Sequence, residues 1–220
     1  MENTHEEAVV SLASLGCHTI KVISDDTDVF ILLVHCYALT NMTTTRLMES
    51  TSQGRSLINI GATVAKYKDI ASNLLSAHAL TGCDTVACYY GIGKTKALEV
   101  LAAGYALNHV GYPTADMQEI IHKSTAFITT CYEQNYGAGD TMSDIRYKVW
   151  VSKTGRKGAT LLPKLKALPL TTKAFHENAK RAHFQACIWK VVLEDDPPNM
   201  DPVKHGWEKR GAQNDSVQLW

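Results

Sequence analysis

The sequence predicts an α/β core over about residues 1–150, followed by a mostly helical, basic extension over 151–220. Three observations carry this. The run Thr19-Ile20-Lys21-Val22-Ile23 is β-branched and apolar, and passes directly into Ser24-Asp25-Asp26-Thr27-Asp28, as a buried strand ending in a polar turn would. Helix-period segments follow such strands, and strands alternating with helices indicate an α/β core. Charge then divides the chain near the same boundary: residues 146–190 hold eleven Lys and Arg against Glu177 alone.

Each element follows in order. Val29–Val34 is continuously apolar and reads equally as a buried strand or a buried helix. Residues 55–60 read as a second strand. Over 65–80 the pattern is helical, with Ile70, Leu74 and Ala77 on one face and Ala71, Leu75 and His78 beside it. Gly82 stops that helix as a C-terminal cap. A short helical stretch at 85–90 meets Gly91-Ile92-Gly93, and a helix resumes over 94–103. Thr114 is placed to cap a helix over 114–132. Gly137–Asp140 and Gly155–Gly158 are loops. Residues 171–192 form a helix with Phe175, Ala179, Ala182, Ala186 and Trp189 on one stripe, and the tail with Pro202 and His205-Gly206-Trp207 is irregular.

Composition excludes several classes. Of 220 residues, 45% are apolar and 20% charged, so neither disorder nor a fibrous protein fits. The longest apolar run, Val29–Val34, is too short to span a membrane. The opening Met1-Glu2-Asn3-Thr4-His5-Glu6-Glu7 lacks the basic-then-apolar order of a signal peptide. Six cysteines are scattered with no Cys-x-x-Cys pair, which suits reduced thiols packed as small apolar residues and an intracellular protein.

The formal net charge of zero conceals an asymmetry. Residues 1–60 carry three basic and seven acidic residues, residues 61–145 five and eight, and the 146–190 block a net +10. A polyanion partner and a merely solvated basic surface explain that block about equally well.

Two constellations carry chemistry. Asp26 and Asp28 follow the carboxyl end of a strand, where α/β sheets gather ligands. With Asp84 and the Glu6-Glu7 pair they offer hard oxygen donors suited to Mg²⁺ or Mn²⁺. A solvated turn explains Asp26 and Asp28 equally well, and a cap aspartate is the commoner role for Asp84 alone. The second constellation is Gly91-Ile92-Gly93-Lys94-Thr95-Lys96. A P-loop is excluded, because its first glycine would fall on Cys88. A helix–hairpin–helix at about 70–104 fits better, with backbone N–H groups and lysines gripping a nucleic-acid backbone without reading bases.

In order and spacing these pieces resemble the structure-specific 5′ nucleases, the flap-endonuclease type of the PIN-like fold. The matching residues are Asp26-Thr27-Asp28, then Gly82-Cys83-Asp84, then Gly91-Ile92-Gly93 with Lys94, Lys96, Ala97 and Leu98. Ser24–Val29 and His78–Thr85 are also similar to animal proteins associated with mobile elements that carry this domain. So are Lys180-Arg181-Ala182 and His205-Gly206-Trp207, which extends the likeness through nearly the whole chain. The resemblance implies a PIN-like core with a helix–two-turn–helix and metal-dependent phosphodiester hydrolysis of DNA in the nucleus. Glu7, Asp26, Asp28 and Asp84 would be catalytic and would hold two Mg²⁺ or Mn²⁺ ions. Gly91, Gly93, Lys94, Thr95 and Lys96 would bind nucleic acid, with K⁺ at the hairpin. Two departures go with it: Val9 stands where a further carboxylate is expected, and the chain corresponds to the C-terminal part of the domain, incomplete at its N-terminus. The alternative is a non-catalytic nucleic-acid-binding or interaction module derived from such a nuclease; a purely structural remnant is the third reading.

Overall fold

The computed structural model describes residues 18–40, 45–52, 54, 56–155, 164–194 and 199–208. Within them the fold is mixed α/β, with seven α-helices and one three-stranded sheet among the described residues. Strand β1 (Thr19–Ile23) alternates in burial, with Ile20 turned into the core. It pairs in parallel with β2 (Thr45–Glu49), Thr19 opposite Thr45 and Ile23 opposite Glu49. Between them runs α1 (Thr27–Thr40), so the apolar run at Val29–Val34 is helical. Asp26 decides this start: its Oδ1 accepts the Asp28 backbone N–H at 2.8 Å, and Ser24 Oγ accepts the Asp26 N–H. Leu32, Leu33, Val34 and Cys36 are then almost wholly buried.

The strand expected over 55–60 reduces to β3 (Ile58–Asn59), antiparallel to β2. Asn59 ends it by capping α2 (Ile60–Lys66), its Oδ1 accepting from Ala62 N at 2.9 Å. The single helix expected over 65–80 is broken by the turn at 67–70 and resumes as α3 (Ala71–Thr81). Nearly every side chain of α3 is buried, so α3 is the axis of the molecule rather than a surface helix. No helix forms over 85–90; Cys83 and Val86 instead exchange backbone hydrogen bonds in a short bridge.

Beyond the loop lie α4 (Lys94–Ala102), α5 (Met117–Cys131) and α6 (Met142–Thr154), then α7 (Thr172–Lys190). Asp116, not Thr114, caps α5. Helix α6 starts on a capping box between Thr141 and Asp144. The predicted stripe of α7 is fully realised: Phe175, Ala179, Ala182 and Ala186 are completely buried and Trp189 nearly so. That stripe packs against α3 and α5 and joins the same hydrophobic core. Residue 150, where the α/β core is expected to pass into the basic extension, falls inside α6, and the basic helix α7 is an interior element. Among the described residues no helix is long and apolar enough to cross a membrane.

Candidate nucleic-acid interface and acidic site

The acidic residues divide into two environments. Asp25 and Asp26 line a cleft of about 200 Å³ at the carboxyl end of β1, with Ser24, Ser50, Ser56 and Phe30. Asp25 accepts hydrogen bonds there from the Ser50 hydroxyl and from the backbone and hydroxyl of Thr51. Asp28 is one turn further on and points elsewhere. It is buried, and its Oδ1 lies 2.6 Å from Nε2 of His78, fifty residues later in the chain. The backbone N–H of Asp84 donates to the same carboxylate. Burial by itself would raise the Asp28 carboxyl; the His78 hydrogen bond and charge, the Asp84 amide and Lys94 outweigh it and hold the group below its ordinary value. The fold thus brings residues 28 and 84 together, but through the amide of Asp84, whose residue is exposed. Glu7 lies outside the described residues.

His78, which the helical pattern places beside the Ile70, Leu74 and Ala77 face, is the residue of this site that no metal or hairpin motif includes. Its other ring nitrogen, Nδ1, is buried with no partner, and its ring lies 5.8 Å from that of Trp189. A histidine in the middle of the Ala71–Thr81 helix, with an acidic residue at the head of another, is the sequence signal of this pair. Burial pushes the nearby Cys83 thiol up, and the thiols of Cys131 and Cys187 up to about 12, so these behave as packed apolar groups.

The hairpin needs one correction. Lys94 was expected on nucleic acid, but its ammonium turns inward and donates to His78 O at 2.9 Å, to Thr81 Oγ1 at 3.1 Å and to Gly82 O. It caps the C-terminal end of α3, whose last carbonyls have no helical partner. Burial lowers its pKa, and Cys83 and Asp28 partly offset this. Lys96 is half-buried to one side of the turn and pairs with Glu133 at 3.0 Å and Glu99 at 3.4 Å. Gly91, with φ 77°, takes a backbone conformation that side-chain-bearing residues avoid. Gly93 is the N-cap of α4, and Thr95 is exposed beside it.

A groove of about 490 Å³ runs along this turn, lined by Tyr90, Gly91 and Lys96 on one side and by Val149, Ser152 and Lys153 of α6 on the other. Much of the +10 block is spent within the molecule. Arg146 donates to Pro169 O, Lys190 to Val110 O, and Arg181 to Gly206 O, while Lys148 pairs with Asp140 and Lys180 with Glu177. Lys164, Lys166 and Lys173 are exposed. Comparison of the chain with known protein families, curated proteins and solved structures finds no match.

Proposed function

We propose that this chain is a nucleic-acid-binding module on a nuclease-like α/β scaffold, gripping the backbone without sequence preference. One observation supports this above the others: the hairpin turn and the basic segment, more than fifty residues apart in sequence, line the same groove through Gly91, Lys96 and Lys153. Lysines on a groove wall neutralise phosphates and release counterions, which needs no base reading. The described residues do not gather into a two-metal centre. Such a centre holds ions about 4 Å apart between converging carboxylates. Here Asp28 is committed to His78 and the Asp84 amide, and Asp26 caps α1. Among the described residues no three His, Cys, Asp or Glu side chains gather at metal-binding spacing.

Binding of a labelled 20-mer duplex, followed by fluorescence anisotropy across a salt series, tests the proposal. Affinity is expected to fall steeply with salt, and Lys153→Ala with Lys166→Ala to flatten the slope by about one unit per lost contact. Binding indifferent to salt would point to a protein partner instead. A second, hydrolytic reading is favoured by the meeting of residues 28 and 84 beside the end of β1. Manganese titration calorimetry with a flap-DNA cleavage assay decides it: cleavage lost in both Asp28→Ala and Asp84→Ala would restore the metal-dependent nuclease.

A further inference from the structure

We infer that a strip of exposed aromatic and lysine side chains, running from Tyr90 to Tyr147, is a binding platform for unpaired nucleic-acid bases; this rests on the nucleic-acid reading above. Three contacts and one step of helical spacing tie the strip together. Tyr90, 54% exposed at the hairpin, lies under the Lys166 ammonium at 5.5 Å. The next residue, Ala167, accepts through its carbonyl from Lys153 Nζ at 3.1 Å. Trp150 stands one helical turn before Lys153 on α6, and its ring is near-parallel to that of Tyr147, at 6.2 Å between centroids and 22° between planes.

The burial of α6 sets this face apart. Met142, Ile145 and Val149 fill the core, while Tyr147, Trp150 and Val151 are 66%, 40% and 42% exposed on the opposite side. Keeping two large aromatic rings and a valine in water on one helix face costs hydrophobic free energy that burial elsewhere would have gained. Flat rings without an apolar wall around them suit flat ligands better than a protein knob. The charge matches as well. Lys153 and Lys166 belong to the strip, whereas the acids Glu133 and Asp140 are already paired with Lys96 and Lys148, and Asp144, one turn before Tyr147, is taken up by Thr141 in the capping box. Aromatic faces interleaved with lysines are what single strands use, bases stacking while phosphates meet ammonium groups. Duplex DNA keeps its bases stacked inside and presents no such faces, so the occupant is a single strand.

The test uses the full chain and two labelled 20-mers, oligo(dT) and its abasic counterpart of equal charge, by anisotropy at fixed salt. The unaltered chain is expected to bind oligo(dT) about tenfold or more tightly than the abasic strand, the scale of one or two base–aromatic stacks. Trp150→Ala with Tyr147→Ala should bring the two probes to equal affinity without changing the salt slope, and Trp150→Phe should keep most of the preference. Circular dichroism and the unfolding midpoint check that the exposed-face variants fold as the parent does. Equal affinity for both probes in the unaltered chain, or a preference untouched by the double variant, overturns the platform while leaving salt-dependent duplex binding intact. Failure to bind any nucleic acid would overturn the broader reading with it.

Discussion

Replacing Lys94 by Met keeps most of the aliphatic stem and removes the ammonium, separating its two candidate roles. In the fold it supplies hydrogen bonds to His78 O, Thr81 Oγ1 and Gly82 O at the end of the central helix. A hydrogen bond to a charged group contributes about 1.5–3 kcal/mol, and favourable charge at a helix C-terminus adds about 0.3–1 kcal/mol. The sum is not realised, because the ammonium is itself desolvated, as its lowered pKa shows. A net loss of about 2–4 kcal/mol follows, or a fall in Tm of about 5–15 °C for a chain of this size. Urea unfolding followed by circular dichroism measures it, with the salt dependence of duplex binding recorded on the same samples. Stability unchanged within about 0.5 kcal/mol, together with a salt slope smaller by about one unit, would refute the capping role and return Lys94 to the nucleic-acid interface.

Two further perturbations probe the packing around it. Asp28→Asn should destabilise the chain by about 3 kcal/mol near neutral pH, since removing one member of a buried pair strands the other. Because the folded carboxyl titrates below its ordinary 3.8, its stabilisation is complete above that pH and is lost as pH falls through the folded value; unfolding midpoints of parent and variant should therefore converge in acid. Gly82→Ala should cost more than about 2 kcal/mol: φ is 112°, and an added Cβ would lie 2.6 Å from Cys88 Cα and 2.9 Å from Cys88 N, both backbone atoms. A Gly82→Ala midpoint equal to the parent's would mean that the 82–88 loop relaxes freely.

Elements with a clean period were legible in the sequence. β1 and the apolar stripe of α7 follow from side-chain pattern alone, because strand and helix each turn one face to the core. β2 was not, since its buried inward position is taken by Arg46, which breaks the apolar alternation. α6 was hidden for the opposite reason: Tyr147, Trp150 and Val151 put apolar residues on its outer face and erase the contrast between its two sides. At the acidic site the order of the motifs predicts that the Asp26, Asp28 and Asp84 carboxylates converge; in the fold Asp84 meets Asp28 through its backbone amide. That order could not show that Asp28 would face His78, or that Lys94 would reach back to α3, because both depend on how helices far apart in sequence cross.

The inward stripe of α7 has a consequence for how the chain acquires its structure. Its partners on α3 and on the loop after it lie about a hundred residues earlier; Gln185, for example, accepts from Thr85 Oγ1 of that loop at 2.8 Å, and Asn178 donates to Ala87 O. Contacts of such sequence separation pay loop-closure entropy before they return any stabilisation, and they slow folding. During synthesis the apolar sides of α3 and α5 wait for the last fifth of the described chain. In that interval they are the surfaces most open to aggregation and most dependent on chaperones.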